Sequence, residues 1–435
     1  MSKPVNIGMI GMGTVGEAVF NIIRERYDYL EAKIGAPIRI KKICDRKFER
    51  KKPEGIDFSL LTTEIQDVIN DEEIDIVVEL IGGIEPARRI ILASLDKGKH
   101  VVTANKAVLA NHFKEIFKKV KEKKRQVYFE ASVCAGIPII QAINEGLCPN
   151  DFEYLLGILN GTTNFILTKM EEGKDFKGAL EEAKRKGFAE ANASLDISGE
   201  DSVHKLSILS SIIFSTNVGL EVIHKEGIDF VDPIDVKYGM EEFGYKLKLL
   251  AIMKKTKEQV ELRVCPTFIP KEHPLSDVGD EFNAVYLRGS YIGDMMFYGK
   301  GAGGYPAASA VISDIVYLAR KVVQEIEEHL PYLDLKRRRL NIKDINDIET
   351  RYYVRFTTID APGVLAKIAK ILGENSVSIA SVVQKESSGL SEVPILMLTH
   401  RAKEGSFKKA ITEIDRLNVV KRKTVFYRVE DERFY

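Results

Sequence analysis

A glycine-rich turn near the start of the chain constrains its fold more than any other feature. Residues 5–10 form a short apolar run with strand character, Gly11, Gly13 and Gly16 follow, and a helix is predicted over residues 17–26. In a strand–turn–helix unit, such glycines allow a tight turn, close approach of the backbone to a pyrophosphate and close packing of helix on strand. The helix N-terminus would face the phosphates. The turn therefore predicts a dinucleotide-binding unit.

Strands and helices keep alternating after this unit, which predicts a doubly wound parallel sheet of the α/β class. The further predicted elements are strands at residues 38–44, 75–81 and 100–103 and helices at residues 86–97 and 107–123. We assign residues 1–135 to a Rossmann-like dinucleotide-binding domain. Because 435 residues exceed what one hydrophobic core usually supports, further domains must follow.

The acidic residue that would bind the ribose of the dinucleotide is Asp45, at the end of the second predicted strand. It lies 29 residues after Gly16, whereas the usual spacing is about 20 residues, and an insertion over residues 24–37 would explain the difference. Arg46 and Lys47 follow directly, and their charges could hold the 2′-phosphate of NADP. The sequence leaves NAD and NADP open, and it leaves open a plain turn at Asp45.

Composition excludes several classes of function. Lys plus Arg and Asp plus Glu both total 64, so the net charge is zero and nothing favours nucleic acid or an anionic membrane as a partner. The four cysteines are far apart and the seven histidines form no ligand pair, which argues against a disulfide framework and a zinc site. No apolar run approaches a membrane span. We therefore expect a cytoplasmic protein that acts on a small molecule.

Two lysines are candidates for catalysis. Lys106 follows the strand at residues 100–103, outside the carboxyl end of the predicted sheet, where open sheets bind ligands. Lys205 shares a helical face with Asp201, and apolar residues on all sides of that helix predict that it is buried and that its first turn lines a cleft. Solvated surface charges at both positions are the alternative.

A stretch rich in carboxylates precedes the helix of Lys205. A charged helix ends at Gly187, a residue suited to a left-handed cap, and residues 188–199 show no helical periodicity. We predict a loop that carries Glu190 and Asp196.

The rest of the chain is predicted to add two domains. A strand at residues 127–133 leads into a turn at 134–138, after which a strand at 154–159 and a loop at 160–164 belong to the second domain. A glycine-rich loop at residues 299–304 precedes another helix, although that loop could also be a flexible connection. The predicted parts, in order, are an α+β catalytic and dimerisation domain (136–305), a helix that returns to the first domain (306–330), a charged linker (331–350) and a βαββαβ, ferredoxin-like domain (351–432).

Several motifs together resemble one family, the homoserine dehydrogenases with a C-terminal ACT domain. They lie at residues 11–16, 103–106, 160–164, 187–205 and 301–304, and the turn at residues 360–365 resembles that of an ACT domain. The resemblance covers nearly the whole chain. It departs from the usual pattern at three places: Cys134 stands where the family has glycine, Asn192-Ala193 where it has Asp-Pro, and Pro306-Ala307-Ala308 where it has Pro-Thr-Ala.

The resemblance implies NAD(P)-dependent interconversion of L-aspartate 4-semialdehyde and L-homoserine, on the branch that leads to threonine, methionine and isoleucine. Hydride moves between the nicotinamide and the aldehyde carbon, and the oxygen must receive a proton from an acid or be stabilised by a cation. We assign Lys205 as the proton donor and Lys106 as the partner that polarises the oxygen, a division that the resemblance leaves open. Two lysines at one carbonyl oxygen should lower each other's pKa.

The resemblance also implies the binding residues. Glu190 and Asp201 should hold the α-ammonium group of the substrate, Asp196 should orient the lysines, and Thr162 with Gly161 should contact the substrate. The implied cofactor-binding positions are Gly11, Gly13, Thr14, Val15, Gly16, Asp45, Arg46, Thr103, Lys106, Gly187 and Gly303.

Members of this family carry a monovalent cation, usually sodium, at the hinge between domains. The matching ligands here are Glu130 and the backbone carbonyls of Val133, Ala135 and Ile137. A buried glutamate that caps a turn is the alternative, because oxygen ligands of this kind hold sodium weakly.

The ACT resemblance implies an amino-acid effector, with threonine expected, and pairing with another copy in a homodimer or homotetramer. Gly363 and Asn375 are the candidate effector contacts. A dimerisation domain that has lost its ligand is the alternative. For the whole chain, the alternatives are a sensor that binds dinucleotide and amino acid without turnover, and another Rossmann amino-acid dehydrogenase.

Overall fold

The computed structural model describes residues 3–46, 55–325, 332–335, 339–384 and 392–431. Several sequence predictions lie outside these ranges: the charge of Lys47, residues 326–330 of the predicted helix, part of the charged linker and the end of the C-terminal domain at residue 432. The chain divides into two compact units. The first comprises the described residues of 1–152, 201–222 and 283–339, and the second those of 153–200, 223–282 and 340–435.

The N-terminal part of the chain alternates strands and helices as predicted. Its elements are β1 (Val5–Ile10), α1 (Thr14–Glu25), α2 (Tyr27–Ile34), β2 (Ile38–Cys44), β3 (Leu61–Thr62), α3 (Ile65–Ile69), β4 (Ile76–Glu79), α4 (Glu85–Asp96), β5 (His100–Thr103), α5 (Lys106–Lys123), β6 (Val127–Tyr128) and α6 (Ile139–Gln141). The six strands form one sheet in the order β3-β2-β1-β4-β5-β6, and all of the pairs are parallel. The predicted doubly wound parallel sheet is confirmed. Its strand order reverses between β1 and β4, where such sheets bind ligands.

The insertion expected after the first helix is itself helical. The helix α2 occupies residues within it, and Gly35 follows in the left-handed conformation with φ of 84°. This extra helix accounts for the long spacing between the glycine-rich turn and Asp45.

The predicted strand at residues 127–133 is wrong beyond Tyr128. A short 3-10 helix (Glu130–Ser132) follows instead, and Cys134 and Ala135 adopt left-handed conformations with φ of 54° and 40°. Side-chain pattern alone could not show this, because the apolar residues here are buried in a turn and not in a sheet.

The middle of the chain supplies elements to both units. They are β7 (Phe152–Ile158), α7 (Gly161–Glu171), α8 (Phe176–Arg185), α9 (Ser194–Ile197), α10 (Glu200–Ile213), β8 (His224–Lys225), α11 (Pro233–Phe243), β9 (Tyr245–Lys255), β10 (Val260–Pro270), β11 (Phe282–Gly289), β12 (Gly293–Lys300) and α12 (Gly304–Val323). In the first unit, α12 packs against α1 and shares a hydrophobic core with the parallel sheet. The helix expected to return to the dinucleotide-binding domain thus lies on that domain.

Two expected loops contain helix. Residues 161–164 form the first turn of α7. Asn160 is the N-cap of this helix, because its side chain accepts the Thr163 amide at 2.8 Å. Residues 188–199 contain the single turn α9, which is too short to show a helical period in the sequence.

The C-terminal elements have the predicted βαββαβ order with one extra two-residue strand. They are β13 (Glu349–Thr358), α13 (Val364–Glu374), β14 (Ile379–Gln384), β15 (Val393–Thr399), β16 (Ala402–Lys403), α14 (Glu404–Ile414) and β17 (Val420–Val429). The two helices pack on one face of the sheet around Tyr352, Ile368 and Phe407. This arrangement is the ACT fold that the sequence predicted.

The ACT strands join the strands that precede them in one sheet of the second unit. The order there is β7-β9-β10-β17-β13-β15-β14, and β10 and β17 are parallel, with Thr267 opposite Arg428. The helix α11 is tied to β13 by Asp235, whose carboxylate accepts hydrogen bonds from Arg355 at 2.6 and 2.8 Å and from the Tyr353 hydroxyl at 2.9 Å. The C-terminal domain is therefore built into its unit and is not a separate appendage.

Candidate active site

Both candidate lysines contact one carboxylate in the first unit. Lys205 Nζ lies 2.7 Å from Asp201 Oδ2, and Lys106 Nζ lies 3.1 Å from Asp201 Oδ1. The Asp201 and Lys205 side chains are 8% and 9% exposed, whereas the Lys106 side chain is 41% exposed. The site is therefore a carboxylate between two ammonium groups, one buried and one open to solvent.

A buried polar network holds the segment that leads to Lys106. The Thr103 hydroxyl donates to Glu79 Oε2 at 2.6 Å, the Asn105 amide nitrogen donates to Thr103 Oγ1 at 3.1 Å, and Asn105 Oδ1 caps α5 by accepting the Val108 amide. Burial raises the pKa of the Glu79 carboxyl, and the hydrogen bond from the Thr103 hydroxyl opposes this shift. Because α5 begins at Lys106, the network fixes where the Lys106 backbone lies.

The burial of Lys205 follows from the helix that carries it. On α10 the polar residues Ser202, Ser207 and Ser210 are buried together with the apolar ones, as the apolar run around this helix predicted. A buried ammonium group is costly unless it is paired. The carboxylate one turn earlier, at Asp201, meets that requirement.

The Asp201 carboxylate has a contact that the sequence analysis did not predict. We expected Asp196 to orient the lysines and Asp201 to bind the substrate, and the structure shows in addition that Asp201 contacts both lysines. Asp196 Oδ1 accepts a hydrogen bond from Asn160 Nδ2 at 2.7 Å. The spacing of Asp201 and Lys205 along α10 allowed this contact, but it could not show that Lys106 meets the same carboxylate.

The remaining predicted substrate residues lie in the second unit. The Thr162 hydroxyl donates to the Phe188 carbonyl at 2.6 Å, so the start of α7 is tied to the carboxylate-bearing stretch. At Gly161, a β-carbon would lie 2.4 Å from the Glu281 carbonyl oxygen, which leaves room for glycine alone. Glu190 is exposed, and Gly187 is left-handed with φ of 76° directly after the charged helix, as its sequence predicted.

A cavity of about 540 Å³ surrounds the glycine-rich turn. Gly11, Gly13, Thr14, Asp45 and Arg46 are among its lining residues. Gly13 directly precedes α1, and apart from its chain neighbours no heavy atom of the described residues lies within 4 Å of a β-carbon built on it. Open space in front of helix amides is what a pyrophosphate requires. The residues present therefore fit a dinucleotide.

Asp45 supports the glycine-rich turn directly. Its Oδ2 accepts the Met12 amide at 2.7 Å. The carboxylate therefore has a structural role in the turn besides any contact with a ribose. Arg46 is exposed beside it, so the choice between NAD and NADP stays open here as it did in the sequence.

The second glycine-rich loop meets the first. A β-carbon on Gly304 would lie 2.9 Å from Thr14 Cγ2 and 3.1 Å from the Thr14 carbonyl oxygen, and the preceding Gly303 has φ of 120°. The loop is thus a packed partner of the dinucleotide turn and not a flexible connection. It reaches the edge of the predicted cofactor site, with Val15 and Gly16 just beyond Thr14 in α1.

The predicted cation ligand Glu130 is buried and caps a helix. Its two carboxylate oxygens accept the amides of Ile140 and Gln141 at 2.8 and 2.7 Å. Asp314 of α12, also fully buried, accepts the Glu130 amide at 2.8 Å. Burial raises the pKa of the Glu130 carboxyl to about 7, and these backbone hydrogen bonds oppose the shift. Two buried carboxylates beside left-handed backbone at Cys134 and Ala135 fit a cation bound by carboxylate and carbonyl oxygens.

The departure at Cys134 has a structural explanation. Its φ of 54° is a conformation that glycine adopts most easily, which is the residue that the resembling family has there. The Cys134 thiol is buried and accepts a hydrogen bond from Asn283 Nδ2 at 3.5 Å. The side chain therefore fills a packed position despite the unfavourable backbone.

Sequence reasoning missed two carboxylates of this unit. Glu79 ends the apolar run of β4, and Asp314 lies within the largely apolar helix α12. A single acidic residue in an otherwise apolar element is a signal of a buried polar contact. The partners of these residues are distant in the chain, so the sequence could not name them.

Comparisons with known proteins agree along the whole chain. Family models match for the homoserine dehydrogenase NAD binding domain at residues 11–130, homoserine dehydrogenase at residues 138–316 and the ACT domain at residues 352–418. A homoserine dehydrogenase of Pseudomonas aeruginosa is 40% identical over 98% of this chain and 99% of its own.

Solved structures give the same result. The crystal structure of a homoserine dehydrogenase from Thiobacillus denitrificans is 41% identical, covers 99% of both chains and has a TM-score of 0.93. A hyperthermophilic archaeal homoserine dehydrogenase in complex with NADPH is 29% identical, covers 73% of this chain and 98% of its own, and has a TM-score of 0.63. In the described part of the chain, no helix is both long and apolar enough to cross a membrane.

Two glycines of the turn should separate binding from folding. Gly13→Ala should weaken NADPH binding roughly tenfold, or about 1.4 kcal/mol, because the added methyl group occupies open space that the phosphates need. The midpoint of thermal unfolding should not change. Gly16→Ala should lower that midpoint, because its β-carbon would lie 2.2 Å from the Gly11 carbonyl oxygen. Fluorescence titration and thermal unfolding measure the two effects, and unchanged NADPH affinity in Gly13→Ala would contradict the assignment.

Proposed function

The chain belongs to the homoserine dehydrogenase family and is an NAD(P)-dependent oxidoreductase, and from this premise we propose how its own residues interconvert L-aspartate 4-semialdehyde and L-homoserine. The observation that carries the proposal is the contact of Lys106 and Lys205 with the single carboxylate of Asp201. When bound, the nicotinamide supplies or accepts the hydride. The residues must then bind the substrate, orient its carbonyl group and manage the proton on its oxygen.

Lys205 is the proposed proton donor. Aldehyde reduction leaves a negative charge on the oxygen, which a positioned ammonium group can neutralise by donating a proton. Because the Lys205 side chain is buried, its ammonium group acts in a site that excludes most water. In the reverse direction the same amine accepts the proton of the homoserine hydroxyl.

Lys106 is the proposed electrostatic partner. Its side chain is the more exposed of the two, and its backbone lies just after the carboxyl end of β5 in the parallel sheet. The negative charge of Asp201 offsets the repulsion between the two ammonium groups. Both lysines can therefore approach the same substrate oxygen. We therefore propose that Asp201, besides its expected contact with the α-ammonium group of the substrate, orients the two lysines.

The dinucleotide would be held by the turn around Gly13 and by Asp45 and Arg46, which line the same cavity. Thr103 at the end of β5 and Gly303, which precedes the Gly304 that packs on Thr14, are proposed to complete the site on the family resemblance. The preference between NAD and NADP would depend on how Arg46 and Asp45 meet the 2′ position of the ribose. Gly187 remains a proposed contact on the family resemblance.

Substrate binding is proposed for Gly161, Thr162, Glu190 and Asp196 in the second unit. Glu190 is exposed, so its carboxylate is accessible to a cationic group such as the α-ammonium of the substrate. Asp196 and Asn160 are joined by a hydrogen bond, so the carboxylate has a fixed position at the start of α7. The hydroxyl and backbone of Thr162 supply polar contacts next to it.

A monovalent cation, with sodium expected, is proposed at Glu130 and the carbonyl groups of Val133, Ala135 and Ile137. A positive charge would offset the burial of the Glu130 carboxylate beside Asp314. Among the described residues, no group of three or more His, Cys, Asp or Glu side chains is placed to hold a metal, so backbone carbonyls must complete the set. The proposed role is structural.

The ACT domain is proposed to bind threonine as a regulator and to pair with another copy in a homodimer or homotetramer. Gly363 is left-handed with φ of 85° and exposed at the start of α13, which leaves its surroundings open to a ligand. Asn375 is nearly buried and its side chain caps α13 by donating to the Ile371 carbonyl at 3.0 Å. A cytoplasmic location remains a prediction from the widely spaced cysteines.

Replacing Lys205 tests the catalytic assignment. Lys205→Met should lower kcat for reduction of L-aspartate 4-semialdehyde by a factor of about 10² to 10⁴, because the oxygen loses its proton donor. The affinity for NADPH should stay the same. The assay compares NADH with NADPH, with and without threonine, and follows the loss of nicotinamide absorbance.

Lys237→Met is the matched control for this assay, because Lys237 is an exposed lysine paired with Glu241 on α11. It should retain the activity of the unmodified enzyme. If Lys205→Met turned over as fast as this control, the assignment of Lys205 would be wrong. If the unmodified enzyme oxidised neither NADPH nor NADH with this aldehyde, the substrate proposal would fail.

The proposed cation should stabilise the fold. The midpoint of thermal unfolding should be higher in sodium chloride than in choline chloride at equal ionic strength, because sodium binds the folded state. Glu130→Gln should remove the difference by removing the charged ligand. Equal midpoints of the unmodified protein in both salts would rule out a sodium site of useful affinity.

A further inference from the structure

A buried charge cluster in the second unit joins the ACT domain to the strands before it. Its centre is Arg428 on β17, which is 1% exposed. The Arg428 guanidinium donates to Glu226 through two nitrogens, at 2.7 and 2.9 Å, and to Glu404 of α14 through Nε at 2.8 Å and also through Nη2. One arginine thus holds a carboxylate of the ACT domain and a carboxylate from outside it.

The Glu226 carboxylate is held in its ionised form. Burial opposes ionisation, but hydrogen bonds with His224 and Arg428 outweigh it and lower the pKa of the Glu226 carboxyl. The backbone of the same residue is also fixed, because its amide donates to the Val264 carbonyl on β10 at 2.8 Å. Glu226 therefore has little freedom in either its side chain or its backbone.

The residues after Glu226 pack directly on the segment that carries Asp196. We call residues 194–199 the Asp196 turn. The Ile228 amide donates to the Ile197 carbonyl at 2.9 Å, and a β-carbon on Gly227 would lie 2.4 Å from that same carbonyl oxygen. The backbones are thus in contact, and a shift of Glu226 would be passed to the Asp196 turn without an intervening side chain.

The other end of the Asp196 turn, at Gly199, also packs against Glu226. Gly199 is left-handed with φ of 81°, and its β-carbon would lie 3.4 Å from the Glu226 carbonyl oxygen and 3.3 Å from Val264 Cγ1. The Asp196 turn therefore rests on Glu226, Gly227 and Ile228. Asp196 itself then reaches Asn160 at the start of α7.

We propose that the ion pair between Arg428 and Glu226 positions the Asp196 turn, so that a residue of the ACT domain sets how well the enzyme binds its substrate. Arg428 and Glu226 are positioning residues, since neither is assigned a contact with substrate or cofactor. The inference rests on the proposed function, in which Asp196 belongs to the substrate-binding residues. It goes beyond that function by giving the C-terminal domain a part in the substrate site even when no effector is bound.

The chemistry of the pair explains why this link is firm. An arginine that makes paired hydrogen bonds with a carboxylate fixes both distance and orientation, whereas a single lysine contact would fix only distance. Removing one member leaves the other charge buried and short of partners, which favours movement of the segment that carries it. The segment that moves is the support of the Asp196 turn.

Two glutamine variants test the proposal against a matched control. Glu226→Gln keeps the size of the side chain but removes the charge that faces Arg428. Glu404→Gln removes the other carboxylate on the same guanidinium, but Glu404 lies in α14 and its side-chain partners Tyr352, Arg428 and Lys408 all belong to the ACT domain. Both variants disturb the buried charge, and only the first acts on the turn.

The kinetic arm measures KM for L-aspartate 4-semialdehyde, kcat and the dissociation constant of NADPH. Glu226→Gln should raise KM by up to about 100-fold, the effect of a small misplacement of a binding group, with kcat and NADPH affinity unchanged. Glu404→Gln should leave KM unchanged. An unchanged KM in Glu226→Gln, or an equal rise in both variants, would overturn the proposal.

A second arm does not depend on activity. Amide hydrogen exchange of peptides that cover residues 194–199 should be faster in Glu226→Gln than in the unmodified enzyme and in Glu404→Gln. Glu226→Asp should show the same increase, because its shorter side chain keeps the charge but cannot hold Arg428 without moving the backbone. Unchanged exchange in both Glu226 variants would overturn the positioning role, even if the enzyme acted on another substrate. Faster exchange together with no turnover of the aldehyde by the unmodified enzyme would instead contradict the proposed function.

Discussion

The structure of the candidate active site depends on one carboxylate that contacts two lysines. Asp201 and Lys205 are both nearly buried, and a buried charge without a partner would cost several kcal/mol. Their mutual contact removes most of that cost and leaves a second carboxylate oxygen for Lys106. The helix α10 can therefore be buried and still carry an ammonium group. Lys106, at the start of α5, contacts the same carboxylate.

The same requirement explains the polar residues around this site. A chain of hydrogen bonds at the carboxyl ends of two parallel strands joins Glu79, Thr103 and Asn105. Glu130 caps α6 by accepting the Ile140 amide. Each group sits in a place where the backbone offers a donor that would otherwise be unpaired. The cluster around Arg428 is the counterpart in the ACT domain.

Local pattern predicted the regular part of the fold well and failed where single polar contacts decide the backbone. The strands β1, β2 and β5 have the predicted bounds, because continuous apolar runs between turns are typical of a buried parallel sheet. The sequence predicted a loop at residues 160–164, where the helix α7 begins, because the capping hydrogen bond of Asn160 leaves no trace in a periodic pattern. For the site, the motifs located Lys106 and Lys205. Their common partner Asp201 is distant from Lys106 in the chain, so the sequence could not show that one carboxylate contacts both lysines.

The most direct measurement is a crystal structure of the enzyme with NADP⁺ and L-homoserine bound together. The account predicts that the hydroxyl oxygen of homoserine lies within about 2.6–3.2 Å of Lys205 Nζ, while Asp201 still contacts both lysines. A homoserine hydroxyl that contacts neither lysine, or an Asp201 carboxylate that binds the α-ammonium group of the substrate in place of the lysines, would contradict the account.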